Sequence, residues 1–352
     1  MSLFEPLQQR GLRLRNRIVV SPMCEYSATD GLPNHWHLVH LGSRAVGGVG
    51  LVITEATAVS AEGRISHGDT GIWNDAQVAA WQPITAFIRS QGAHVGVQLA
   101  HAGRKASAQL PWQGGGPLGK DESPWPTVAP SARPFDEGWH VPAELDEAGI
   151  EAVIEAFRIA AGRAAAAGFE LVEIHAAHGY LLHQFLSPLS NHRTDRWGGD
   201  LEGRTRLLRE VVRAVREVWP ETLPVWVRLS ATDWTDGGWD DTMSVELSRM
   251  LKALGVDLVD VSSGGNVPHA KIPAGPGYQV PFASRIRHEA GIATGAVGMI
   301  IDSAQADAVI REGAADVVLL ARELLRDPYF PRRAASELGV TIQAPVQYKR
   351  AW

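Results

Sequence analysis

The 352-residue sequence holds one cysteine, Cys24. A lone thiol forms no internal disulfide and cannot supply a four-thiolate zinc site. Long apolar runs are missing as well: no stretch approaches the roughly eighteen residues of a bilayer-spanning helix, and Met1–Glu5 leads into no basic and then hydrophobic leader. Nor is there an excess of basic charge. Against 39 Asp and Glu stand 33 Lys and Arg, a net −6, which attracts neither nucleic acid nor an anionic membrane. These absences lead us to expect a soluble, unexported, cytoplasmic chain, and the 45% hydrophobic content is that of an ordinary globular protein.

What is present is a repeat. Apolar strand-like runs recur at 17–21, 51–55, 95–99, 171–175, 225–229, 258–262, 294–298 and 317–320. Helical periodicity separates them, as in the stripe Ile150, Val153, Ile154, Phe157, Ala161, Ala164 and in Leu207, Leu208, Val211, Val212, Val215, Val218. Gly168, Gly255 and Gly313 each stand where a helix would end shortly before the next strand. Alternation of this kind predicts a parallel sheet, and eight units in this length predict a closed (β/α)₈ TIM barrel forming one domain over 1–352. Residues 103–144, rich in Pro, Gly and Trp without sustained period, are expected to be a long loop inserted after the third strand.

Barrel enzymes work at the C-terminal ends of their strands, and those ends are polar here. They carry Pro22-Met23-Cys24-Glu25-Tyr26 after the first strand, Gln98 with His101 and Arg104-Lys105 at the third, and His175-Ala176-Ala177-His178-Gly179-Tyr180 at the fourth. Arg228 lies within the fifth strand, where a buried guanidinium is costly unless an anion or acceptor meets it, which favours a ligand. Gly298 and Arg322, after strands seven and eight, suit an anionic group; the bland alternative is that Gly298 relieves crowding and Arg322 pairs with Glu323. Gly114–Lys120 reads G-x-x-x-x-G-K, but Asp121 replaces the magnesium-binding hydroxyl and no strand precedes it, so it is not a phosphate loop. The rival to a redox barrel is a metal-dependent hydrolase using His35 and His37. Against it, the pair lies well beyond the first strand, and Ala321-Arg322 cannot bind a cation.

Together these motifs resemble the old yellow enzyme family of FMN-dependent ene-reductases, in its bacterial NADPH dehydrogenase and xenobiotic reductase branch. The resemblance spans the chain. It rests on Ser21-Pro22-Met23-Cys24 with Tyr26, on Gln98–Lys105, on His175–Tyr180 continuing to Ser190-Asn191-His192-Arg193, on Thr294–Gly298, on Arg322–Pro328 and on Ala344–Tyr348. Cys24 in place of threonine and His178 in place of asparagine mark the bacterial branch. Two residues depart from the pattern: Ala321 stands where relatives often carry glycine, and Glu25 where they often carry a neutral side chain.

The resemblance implies that Ser21, Pro22, Met23, Cys24, Ala56, Gln98 and Arg228 surround an FMN, with Gly298, Ala321 and Arg322 at its phosphate. It implies a ping-pong cycle in which NADPH, or NADH, gives hydride to flavin N5, leaves, and is replaced in the same cleft by an alkene conjugated to a carbonyl or nitro group. Arg228 would stabilise the anionic reduced ring, and Gln98 would meet its uracil-like edge. His175 and His178 would hold the substrate oxygen beside Tyr26, and Tyr180, protonated at neutral pH, would deliver the proton to the α-carbon. The absence of a Rossmann fingerprint fits a nicotinamide that stacks on the flavin. Finally, the resemblance implies a homodimer, or a tetramer of such dimers, in which Arg350 completes the substrate pocket of a neighbouring subunit and Trp352 packs across the interface.

Overall fold

Strands buried on both faces read as continuous Val, Ile and Leu runs rather than alternating ones, and every such run is a strand. The computed structural model describes residues 1–352. In chain order its strands are β1 (Leu7–Gln9), β2 (Leu12–Leu14), β3 (Ile18–Val20), β4 (Leu51–Ala58), β5 (His94–Ala100), β6 (Val128–Ala129), β7 (Ala143–Glu144), β8 (Leu171–Ala176), β9 (Val225–Ser230), β10 (Leu258–Ser262), β11 (Ala293–Ala296) and β12 (Val317–Leu320). The helices are α1 (His35–Gly47), α2 (Asp75–Ser90), α3 (Glu147–Ala166), α4 (Leu181–Leu186), α5 (Leu201–Val218), α6 (Asp241–Ala253), α7 (Val280–Ala290), α8 (Ser303–Arg311), α9 (Arg322–Arg326) and α10 (Phe330–Glu337). None is long and apolar enough to cross a membrane.

Eight strands close into a parallel barrel in the order β3-β4-β5-β8-β9-β10-β11-β12, sealed where Val318 and Leu320 of β12 pair with Ile18 and Val20 of β3. This is the predicted (β/α)₈ architecture. Helix starts follow their caps: Asn34, Asn74, Asp146, Asp200, Asp240 and Asp302 each accept a first-turn backbone N–H. The α3 and α5 stripes sink into the large apolar layer between barrel and helices, where Phe157, Leu207 and Val211 are fully buried.

A separate cluster fills the lower barrel. Val19, Leu51, Ile53, Leu171, Trp226, Leu258, Val317 and Leu319 meet there, and the β1–β2 hairpin adds Leu12 and Leu14 beneath them. The Trp226 indole N–H donates to Gln9 Oε1 at 2.5 Å, tying hairpin to barrel.

Between β5 and α3 the chain is more ordered than its composition predicts. Residues 103–144 contain 3₁₀ turns at Gly103–Lys105, Pro111–Gln113 and Lys120–Glu122, together with the β6–β7 pair. Gly114–Lys120 joins the second turn to the third, with no strand ahead of it. Strand seven ends earlier than expected, at Ala296, so Gly298 lies in the following loop.

Candidate active site

Register decides which side chains meet. Gln98 of β5 stands opposite Glu173 of β8, His175 of β8 opposite Arg228 of β9, and Arg228 opposite Asp260 of β10. Side chains two residues apart share a face, so Glu173 and His175 both look into the barrel above the apolar layer. Gln98 Nε2 donates to Glu173 Oε1 at 2.8 Å, which leaves its other N–H and its carbonyl oxygen uncommitted. Arg228 Nε lies 3.0 Å from Asp260 Oδ2, and its Nη2 donates to Ser21 Oγ at 3.2 Å. The burial cost of Arg228 is therefore met from inside the chain by Asp260. This corrects the sequence argument: burial of that guanidinium alone is no evidence for a ligand.

At the mouth of β8, the His175 ring is 5.1 Å from His178 and 5.2 Å from Tyr180, edge to face in both cases. Burial and the nearby Arg228 lower the proton affinity of both imidazoles well below the usual histidine value, so they are neutral. Burial, with Cys24 and Asp69 nearby, pushes the Tyr180 phenol in the opposite direction and keeps it protonated. His175 Nδ1 is buried without a partner, whereas His178 Nε2 is 2.7 Å from Ser262 Oγ. The Lys105 ammonium donates to the carbonyls of His178 and Gly265 and sits 5.0 Å above the Tyr180 ring; burial and Arg104 lower its pKa to about 8.

Behind the rings the turn is clamped. His183 Nδ1 accepts the Gly179 N–H at 2.9 Å, and Asp233 backs His183 at 3.0 Å with neither side chain exposed. His178 adopts a left-handed φ of 59°, and a Cβ on Gly179 would come within 2.2 Å of the Gly265 carbonyl oxygen. The loops after β8 and β10 thus touch backbone to backbone.

On the opposite side, Ser21–Tyr26 follows β3. Burial, with Asp69 and Glu55 nearby, raises the pKa of the Cys24 thiol, so it is a thiol and not a thiolate. Tyr26 meets the edge of Trp112 at 6.0 Å. Ala56 and Tyr180 line the same small cavity as Asp69. Glu25 is bound on its outer side, by Trp36 Nε1 at 3.0 Å and His40 Nε2 at 3.3 Å. Burial and Arg44 lower the His40 pKa to about 3, so this contact is a hydrogen bond from a neutral imidazole.

The metal-hydrolase alternative fails on the same stretch. His37 closes the cap of α1, its Nδ1 accepting the Asn34 N–H, and its Nε2 is 3.1 Å from Glu55. Its neighbour His35 is exposed. The two histidines serve a helix start and make no metal pair.

After β11 and β12, a cavity of about 310 Å³ is lined by Gly298, Ala321, Arg322 and Arg326. Gly298 has φ +122°, and a Cβ there would lie 2.8 Å from Gln279 Nε2 and 3.0 Å from the Tyr278 ring. Glu323 is held by Arg326 and Arg333 and not by Arg322. Ala321, at φ −109°, needs no glycine.

Three comparisons bear on this site. Residues 2–340 match the model of the NADH:flavin oxidoreductase / NADH oxidase family. The chain belongs to that family. It is 51% identical over 352 residues to an NADPH dehydrogenase of Geobacillus sp. (strain WCH70), covering 99% of this chain and 98% of the relative. With an NADPH dehydrogenase of Bacillus subtilis (strain 168) it shares 47%, covering 99% of each. A solved morphinone reductase in complex with tetrahydroNAD superposes with TM-score 0.80 at 30% identity, covering 98% of this chain and 93% of that one.

As a member of the NADH:flavin oxidoreductase / NADH oxidase family, of the old yellow enzyme type, this chain is an FMN-binding oxidoreductase, and its residues fit that cofactor. The free edge of Gln98, the Ser21 hydroxyl and Arg228 form a donor–acceptor set for a planar uracil-like edge. The space over Gly298 beside Arg322, which a Cβ would take, is a cradle for an anionic group. The sequence reading missed Glu173 and Asp260, which are buried beneath this set, and gave no role to Ser262, Asp69 or Lys105. At the C-terminus, Arg350 makes no hydrogen bond or ion pair within its own chain. Trp352 stacks on Tyr329 of the same chain at 6.2 Å, under Arg332. The indole thus already has a partner, although 55% of it stays exposed.

Proposed function

We propose that this protein is an NADPH-dependent ene-reductase acting on alkenes conjugated to a carbonyl or nitro group. The bound flavin supplies hydride transfer between nicotinamide and alkene. The observation that carries the reading is the triad of rings at the end of β8, where two neutral imidazoles stand beside a protonated phenol.

In this reading His175 and His178 donate to the carbonyl or nitro oxygen, which makes the β-carbon electrophilic. Tyr180 holds its proton at Oη until the α-carbon takes it. Tyr26, with Trp112 against it, forms the apolar wall for the substrate body. Ser21, Pro22, Met23, Cys24, Ala56, Gln98 and Arg228 hold the ring, and Gly298, Ala321 and Arg322 hold the phosphate. The unpaired Arg350 enters the substrate pocket of a second copy, so the working form is a homodimer or a tetramer of dimers. We read the chain as one domain working in the cytoplasm.

Anaerobic mixing tests the reading. NADPH should bleach the yellow protein, and 2-cyclohexenone should restore the colour. Protein that bleaches but is reoxidised by no enone or nitroalkene would leave an NADPH oxidase and end the ene-reductase assignment.

A further inference from the structure

Two carboxyl groups lie under the wall of the site, and nothing in the hydride chemistry uses them. Glu173 and Asp260 come from β8 and β10, the strands flanking β9, and both side chains are completely buried. Asp260 bears electrostatically on Glu173, whose Oε2 is buried with no hydrogen-bond partner. Glu173 reaches outward to Gln98 at 2.8 Å, and Asp260 to Arg228 at 3.0 Å. Gln98–Glu173 and Arg228–Asp260 are thus two buried pairs on four consecutive barrel strands.

Two neighbouring ionised carboxylates out of water repel each other and lose hydration; one proton between them removes both penalties. The groups around the pair decide which residue keeps it. Arg228 is the one cation in contact, and it faces Asp260. Gln98 is neutral. His175, across the register from Arg228, is kept neutral by burial and by that same guanidinium. The inward apolar cluster contributes Val19, Ile53 and Leu319 from β3, β4 and β12 and Val297 just after β11, none titratable. Asp260 therefore keeps the negative charge beside Arg228, and Glu173, raised by burial and by Asp260, keeps the proton. With +1 on Arg228, −1 on Asp260 and 0 on Glu173, the cluster is neutral.

We propose that Glu173 and Asp260 are positioning residues for the cofactor: sharing one proton, they orient Gln98 and fix the charge that Arg228 presents, and so set how strongly the site favours reduced over oxidised flavin. This rests on the assignment of Gln98 and Arg228 to the ring. The effect is electrostatic and needs no substrate.

The test is the flavin midpoint potential of the holoenzyme, titrated spectroscopically across pH. Asp260→Asn leaves Arg228 uncompensated, so the reduced flavin should gain at least about tenfold in the equilibrium, an upward shift of about 30 mV for a two-electron couple. Glu173→Gln replaces a neutral group by a neutral isostere, so its potential at neutral pH should match the parent. Towards alkaline pH the parent loses the Glu173 proton, gains negative charge beside the ring and falls more steeply than Glu173→Gln. Equal shifts in both variants at neutral pH, or superimposable pH curves for parent and Glu173→Gln, would overturn the proposal. Should Asp260→Asn lose its flavin, the Glu173→Gln curve alone decides. An Arg228→Gln variant separates the two readings. If it leaves the potential unmoved, Arg228 does not face the ring; if it moves the potential while Asp260→Asn does not, only the carboxyl proposal fails.

Discussion

The two ends of the barrel are built from the same strands and obey opposite rules. At the lower end, Trp226, Leu171, Leu258 and Leu319 pack without a charge among them, and the hairpin closes over them with Leu12 and Leu14. Two residues further along the same strands stand Glu173, Arg228 and Asp260, equally buried and all ionisable. Burying those groups opposes folding, since even a well-paired interior ion pair gains little over apolar packing. The lower layer supplies the burial that offsets them. Stability and chemistry are thus divided along the strand direction, about two residues apart, and that division is open to attack from either side.

The heaviest blow should come from below. Trp226→Ala removes the largest side chain of the plug and its bond to Gln9, and a truncation of this size costs about 3–5 kcal/mol. Denaturant unfolding should show that loss, while protein that remains folded and flavin-loaded reduces enone at close to the parent rate. A large drop in that rate with unchanged unfolding would mean that the two layers are not separable. Tyr180→Phe attacks the upper end alone. Reoxidation by 2-cyclohexenone should slow by about a hundred-fold or more, with bleaching by NADPH and the unfolding midpoint nearly unchanged; equal slowing of both halves in stopped-flow traces would refute the proton-donor role.

Arg350 sharpens the comparison by asking whether the upper end is complete in one chain. A charge-assisted contact is worth about 1.5–3 kcal/mol, so Arg350→Ala should lower kcat/KM roughly ten- to a hundred-fold. Truncation after Pro345 should keep the flavin, raise KM and weaken association by light scattering. A fully active monomer would remove the partner from the site. The smallest effect is expected at Cys24, where Cys24→Ala should shift the flavin midpoint potential measurably without lowering stability. An unmoved potential would make the thiol a packing residue.

The fold was legible because the barrel strands are short, mostly apolar runs, several of them set off by a glycine exit, as at Gly168 before β8 and Gly255 before β10. Such patterns are local. The residues lining the mouth were legible for a different reason: His175, His178 and Tyr180 fall within six positions of one another, and Ser21–Cys24 are contiguous. Glu173 and Asp260 escaped notice because each is a single carboxylate inside an apolar strand, and each has its counterpart on another strand. Only the pairing of neighbouring parallel strands brings them together. The same blindness made the burial of Arg228 read as a demand for a ligand when Asp260 was already there. Residues 103–144 hid their short turns and the two-residue strands β6 and β7 because elements that short have no period to detect.

The abutting backbones of Gly179 and Gly265 bear on how this site can diversify. No side chain fits between those loops at 2.2 Å, so the peptide that carries His178 and Tyr180 has nowhere to move, and selection for new substrates cannot remodel it by small steps. Trp112, two-thirds exposed and held only on a short turn against Tyr26, is under no such restraint. Libraries aimed at bulkier alkenes should leave the loops after β8 and β10 untouched and vary the wall formed by 111–113, where the chain can change shape without unseating the proton donor.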